Sequence, residues 1–271
     1  MIKMINLESR DFDAAATFDC GQCFRWDAND GIYTGIADGR VCRVSGSTIM
    51  CPDSDNEFWQ NYFCTDTDYG RLKTDLLNAD PKLKPCIEYG SGIRILRQPL
   101  WETVVSFIIS ANNNIPRIRK IISALCKSFG TSIQYDGETF YSFPSPENLS
   151  ALELADLAHL RAGYRDKYIL DAAAKFSDKN FDAAKLFEMS TPDAKKKLME
   201  IKGIGSKVAD CILLFALGRY EVFPQDVWIK RIMNRVYGTD EKNITAFVGA
   251  TYGALGGFAQ QYLYYYYRDH S

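Results

Sequence analysis

The sequence predicts an α+β fold. It reads as an N-terminal antiparallel β-sheet domain over residues 1–90, then two helical subdomains with a helix-hairpin-helix motif over 91–271. Three observations carry this. Asp38-Gly39 stands between the short apolar runs 32–36 and 41–44, a hairpin signal. Beyond Gly90-Ser91-Gly92 the apolar spacing becomes helical. Gly203-Ile204-Gly205 interrupts two helical patterns and sets the hairpin motif near 192–217.

Taken in order, Ser45-Gly46 turns the chain from 41–44 into a further strand at 47–50, giving a sheet of three strands or more. A helix follows over 69–77. The apolar helix at 101–111 is broken by Asn112-Asn113-Asn114. Asn114 is a cap, and Pro116 sits in the first turn of the next helix, where its missing N–H costs nothing. That helix runs to Phe129 and stops at Gly130. Further helices fit 149–160, 164–176, 183–189 and 192–201, the last capped by Thr191. Those at 206–217, 226–237 and 258–267 complete the chain. There is no internal repeat, low-complexity tract or long linker.

With 46% hydrophobic and 24% charged residues, 271 residues can bury a sizeable core. No run approaches the ~20 apolar residues of a membrane span. Glu8 is too early for a secretory signal, so an intracellular location is expected. A net charge of −2 argues against indiscriminate nucleic-acid binding, but the charge is uneven. Residues 1–90 carry −6 and the remainder +4, which assigns any polyanion-facing surface to the later part. Cys20 and Cys23 have the spacing of half a zinc site. No second close pair follows, and the histidines are His159 and His270 alone. Neither a metal nor a cofactor is expected.

The hairpin invites phosphate. A helix N-terminus offers unpaired N–H groups and a positive dipole end. Gly203 and Gly205 remove the Cβ atoms that would block approach, and they permit positive φ. Val208 supplies a first-turn N–H. The same glycines equally fit a tight helix–helix turn. Lys207 shifts the balance, because an ammonium at that end opposes the dipole. As a nucleophile it must shed its proton. Moving its pKa from ~10.4 to ~7.5 takes about 4 kcal/mol, so partial burial beside Val208, Ile212 and Phe215 is expected to lower it. Asp226, two residues after Pro224, reads as the cap of its helix. Its free oxygen can also face a cleft and support developing positive charge.

These residues resemble the helix-hairpin-helix glycosylases, and five segments in order resemble the 8-oxoguanine DNA glycosylases among them. The segments are Cys20-Gly21-Gln22-Cys23-Phe24-Arg25-Trp26, Ser106-Phe107-Ile108 through Asn112-Asn113-Asn114-Ile115, Gly163-Tyr164-Arg165, the Lys207 hairpin, and Phe258-Ala259-Gln260. The resemblance spans nearly the whole chain. It implies an enzyme that flips oxidised guanine out of duplex DNA, since the reacting C1′ cannot be reached in the stack. Lys207 would attack C1′ and expel the base as a Schiff base forms. Elimination of the 3′ phosphate would follow, with Asp226 supporting the charge.

Spacing adds that Lys207 and Cys211 share one helix face, and Gln260 and Tyr264 another. The resemblance makes Cys211 and Tyr264 the walls of the base pocket. Tyr264 stands where the family often has phenylalanine. Gln260 would read the base edge, and the Gly21 carbonyl would accept from the N7–H of the lesion. Asn112 and Tyr164 would fill the gap in the duplex, while Arg117 and Arg165 would read the widowed cytosine. Trp228 departs from the family's phosphate-contacting histidine. The implied partner is double-stranded DNA carrying oxidised guanine opposite cytosine, bound by a monomer. A glycosylase for another purine lesion and a non-catalytic DNA-holding hairpin are the alternatives.

Overall fold

The computed structural model describes residues 2–270. Five antiparallel strands form the N-terminal sheet in the order β1-β5-β4-β3-β2. They are β1 (Ile2–Asn6), β2 (Trp26–Asn29), β3 (Ile32–Ala37), β4 (Arg40–Ser45) and β5 (Thr48–Pro52). Sequence spacing found the inner three. It missed both edge strands, which lack a clean apolar alternation. Val44 pairs with Ile49, and both are fully buried on the inner face with Cys42 and Cys51. Trp26 stacks on Phe18 at 3.9 Å between centroids and meets Trp59 edge-on. Gly35 must lack a side chain, because a Cβ there would lie 2.5 Å from the Trp26 ring. A second hairpin, β6 (Ser132–Tyr135) and β7 (Glu138–Tyr141), was also missed.

The expected helices fall close to their places, with two corrections, while Asn56–Tyr62, Lys84–Tyr89 and Ile244–Thr251 were missed. The expected helix at 149–160 is interrupted. Pro146–Ser150 ends before Leu154–Leu157 begins, because Glu153 and Asp156 form a capping box that starts a new helix. The helix Thr191–Leu198 is capped by Ser190, whose hydroxyl accepts from the Asp193 N–H, so Thr191 is its first residue and not its cap.

Apolar packing divides the chain before residue 90. Tyr69, Leu72 and Leu76 recur on one face of Tyr69–Ala79, and Cys86 and Ile87 follow on Lys84–Tyr89. All five belong to the large helical core, with Tyr262 and Leu263 of the last helix, Gly256–Asp269. The sheet has its own core, which Leu96 joins from beyond the glycine stretch.

A buried polar seam runs between the two cores. Gln22 is completely buried, and its amide donates to the carbonyls of Thr17 (2.9 Å) and Arg94 (2.7 Å) while accepting from the Leu96 N–H (2.9 Å). Gln98 donates to the Gln22 carbonyl and Gln261 to that of Cys20, each at 2.8 Å. Arg94, also buried, donates to the Phe63 and Cys64 carbonyls and lies 4.1 Å over the Tyr69 ring. Each buried group left unpaired costs about 1–3 kcal/mol. Gln22→Ala is therefore expected to destabilise the fold by roughly 2–4 kcal/mol, read as a fall in the urea midpoint. An unchanged midpoint would refute this account of the seam.

Candidate active site

The hairpin joins Thr191–Leu198 to Ser206–Phe215. Its two glycines do different work. Gly203 has φ +89°, and a Cβ there would lie 2.6 Å from the Tyr168 ring, so both conformation and space demand glycine. Gly205 does not adopt the expected positive φ. It is the N-cap of the second helix, with φ −89° and ψ 179°, the extended geometry a cap requires. No side chain caps that helix, and open space faces Gly205. The first-turn N–H groups of Ser206, Lys207 and Val208 therefore have no capping side chain competing for them.

Lys207 and Cys211 project from this helix into a cavity of about 60 Å³. Gly21, Asp226, Gln260 and Tyr264 line it too, so the structure gathers the six residues expected there. Gly21 has φ +84°, and a Cβ on it would lie 3.5 Å from Tyr264 Cε1, so the tyrosine ring packs on the bare backbone of the turn. Asp226 caps Val227–Tyr237, with Oδ1 accepting from the Ile229 N–H at 2.8 Å. Gln260 is buried, and its Oε1 has no hydrogen-bond partner. Phe107, Gln261 and Cys20, to which sequence reasoning gave no role in the pocket, also line it, with Pro224 and with Phe215, expected only as an apolar neighbour of Lys207. Phe107 stacks on Phe215 (5.5 Å, 13°), and the Lys207 amine lies 5.6 Å from the Phe107 centroid. No spacing in one helix could have revealed an aromatic pair made between two. Behind Lys207 opens a larger cleft of about 920 Å³, where Lys195 pairs with Asp210 at 2.7 Å.

The electrostatics correct one expectation. The Lys207 amine is held above the ordinary lysine value, not below it. The Cys211 sulfur, which it hydrogen-bonds, is the largest cause. Burial opposes this, and the Asp226 carboxylate again favours the cation. Burial meanwhile pushes the Cys211 thiol up, against the pull of Lys207. Desolvation does oppose the ammonium as expected, but the anionic neighbours outweigh it. Burial likewise raises Tyr264. Cys20 and Cys23, spaced like half a zinc site, are thiols turned to backbone carbonyls, Cys20 to Thr17 and Cys23 to Phe18.

A second cluster forms where Leu100–Ser110 ends. Asn112 has φ +50°. The buried Arg165 guanidinium donates to the carbonyls of Ala111 (3.0 Å from Nε), Asn112 (3.0 Å) and Ala162 (3.0 Å), and lies 4.5 Å over the Tyr164 ring. Tyr164 is exposed, and its hydroxyl donates to the Ala111 carbonyl at 3.3 Å. The guanidinium of Arg117, in the helix Ile115–Phe129, donates to the Arg161 carbonyl at 2.9 Å. Trp228 is exposed in the first turn after Asp226.

A glycine hairpin with a lysine in the first turn of its second helix, lining one small cavity with a capping aspartate, defines the class of helix-hairpin-helix base-excision proteins. Residues 105–247 match the HhH-GPD superfamily of base excision DNA repair proteins, and residues 4–104 match the N-terminal domain of 8-oxoguanine DNA glycosylase. The chain belongs to the 8-oxoguanine DNA glycosylase family. It is 38% identical to an N-glycosylase/DNA lyase of Saccharomyces cerevisiae over 257 residues, covering 82% of this chain and 68% of the yeast protein. Its structure superposes on MBOgg1 in complex with a low-affinity DNA ligand with a TM-score of 0.92, at 43% identity, covering 100% and 99% of the two chains. The 8-oxoguanine glycosylase/lyase of Clostridium acetobutylicum, in complex with double-stranded DNA containing cytosine opposite 8-oxoG, gives 0.91 at 36% identity, covering 100% and 98%.

Proposed function

We propose that this chain is a bifunctional glycosylase/lyase that flips 8-oxoguanine out of duplex DNA and excises it. The observation that carries the reading is the juxtaposition of Lys207, Asp226 and an unpartnered, buried Gln260 oxygen around one cavity. A buried acceptor without a donor is costly, and the N–H edge of a flipped base would supply the donor. About 60 Å³ holds roughly two waters. A purine therefore enters only as the lining side chains part.

In this reading the Lys207 nitrogen forms a bond to C1′ while the C1′–N9 bond breaks. The base leaves with the electron pair and takes up a proton. Loss of a proton from the attached amine and cleavage of the C1′–O4′ bond, with the ring oxygen taking up a proton, give the Schiff base, and removal of a C2′ proton then expels the 3′ phosphate. Asp226 stabilises positive charge on the sugar as the base departs. The Gly21 carbonyl accepts from the N7–H of the lesion and meets a bare acceptor in guanine. The open Gly205 cap and the Gly203 turn receive a phosphate. Asn112 and Tyr164 occupy the gap. Arg117 is freer than Arg165 to read cytosine, because four of the five Arg165 N–H groups are committed to carbonyls. The eight free, buried cysteines support an intracellular setting, and we propose a monomer.

Borohydride is expected to trap the protein covalently on a duplex carrying 8-oxoguanine opposite cytosine, and Lys207→Gln to abolish trapping. No trapping by the unaltered protein would sink the catalytic reading and favour a DNA-holding module. Because Asp226 favours the Lys207 cation, Asp226→Asn should shift the rise of activity with pH to lower pH. It should also reduce the maximal rate about a hundredfold, and a profile that moves to higher pH would contradict the assignment. Arg117→Ala should weaken the preference for cytosine without altering stability. Arg165→Ala should also lower the thermal midpoint, because the carbonyls of Asn112 and Ala162 lose the guanidinium donor and that of Ala111 keeps only the Tyr164 hydroxyl. Cleavage rates against the four opposite bases, set beside melting curves, separate the two arginines.

A further inference from the structure

Asp226 and the two residues after it face different surroundings. The carboxylate lines the small cavity, whereas Val227 and Trp228 are 63% and 50% exposed in the first turn of the same helix. Two adjacent apolar side chains left in water are costly for an isolated fold, and here they begin one residue from a cavity-lining group. The other three tryptophans are all withdrawn. Trp26 and Trp59 are fully buried, and Trp101 is half-buried with its N–H given to the Pro144 carbonyl at 2.8 Å. The Arg231 guanidinium lies 5.9 Å from the Trp228 ring, one turn further along the helix. The outer face of this turn thus combines a flat apolar surface with an adjacent cation and carries no carboxylate of its own.

We infer that Trp228 is a positioning residue whose indole covers the apolar face of the deoxyribose next to the lesion on the damaged strand. This rests on the proposed glycosylase reading and extends it. If Asp226 faces the C1′ of the flipped nucleotide, Trp228, two residues on at the exposed start of the same helix, meets the neighbouring sugar. A deoxyribose presents C–H groups to an aromatic face, while its phosphate lies towards Arg231. The contact is uncharged and releases no counterion. Its contribution to affinity is therefore independent of salt, unlike that of a cation held on a phosphate.

The test uses the full chain and a duplex in which a tetrahydrofuran abasic analogue replaces the lesion, which the Lys207 amine cannot convert to a Schiff base. Trp228→Ala should weaken binding about tenfold, the effect of leaving about 50 Å² of apolar surface wet. The slope of log Kd against log salt should not change. Trp228→Phe should recover most of the affinity. Tryptophan emission should change on DNA binding in the unaltered protein and not in Trp228→Phe. The inference is overturned if Trp228→Ala binds within twofold of the unaltered protein, if its salt slope falls by about one phosphate, or if the emission change survives in Trp228→Phe. Borohydride trapping on the 8-oxoguanine duplex reports separately on the catalytic reading. Trapping with an inert Trp228 overturns this inference alone, and absent trapping overturns the reading beneath it.

Discussion

The 20–23 turn is held by amide hydrogen bonds, and the shape of the cavity depends on them. The turn sits where the sheet core meets the helical core, and Cys20 and Cys23 belong to different cores. Apolar contact alone would let such a junction slide, since hydrophobic attraction has no direction. Gln22, Gln98 and Gln261 give it direction by tying the turn to 92–98 and to the last helix. That last helix also carries Gln260 and Tyr264. One network thus sets the distance between Gly21 and the opposite wall, and a recognition element made of backbone requires a fixed backbone.

The Lys207 helix carries a conflict that its surroundings resolve. A cation in the first turn faces the positive end of the helix, and burial adds a desolvation cost. Asp226 and the Cys211 sulfur offset both, well enough to hold the amine protonated in the free protein. The same carboxylate caps its own helix through the Ile229 N–H, so its position is fixed before any substrate arrives. A protonated amine cannot attack carbon. Unless the electrostatic balance changes when DNA fills the cavity, the reactive form is a small fraction, and chemistry is coupled to substrate entry.

The sequence made much of this legible, and the exceptions have physical reasons. Hairpin turns and long helices announced themselves through glycine placement and apolar spacing. The edge strands did not, because β1 buries only Ile5 and β2 only Trp26. The boundary at 90 was drawn from a glycine stretch, yet the face of Tyr69, Leu72 and Leu76 already belonged to the helices. Lys207, Cys211, Gln260 and Tyr264 were legible as same-face pairs. Their meeting with Gly21 and Asp226 followed from family resemblance alone, since nothing in linear spacing brings residue 21 to residue 264. The direction of the Lys207 shift was missed because burial was weighed without its anionic neighbours. The commitment of Arg165 to three carbonyls was invisible, since acceptors on the backbone leave no mark in the side-chain sequence.

An acidic chain that acts on a polyanion cannot rely on a general excess of cations. The net charge is −2, and several basic groups are already occupied: Arg119 by Asp19, Lys195 by Asp210, Lys230 by Glu241 and Arg165 by carbonyls. Beside the lysines left without an ion pair, the surface offers features of another kind: helix N–H groups without a capping side chain at Ser206, the exposed Tyr164 ring, and the exposed Trp228 ring. Dipoles and aromatic faces attract a strand only at contact distance, whereas net charge acts over about a Debye length. A surface built this way gains little from undamaged duplex passing nearby. It gains most where the strand is already deformed enough to meet a hairpin, a wedge and a flat ring together, which is the geometry of a flipped nucleotide.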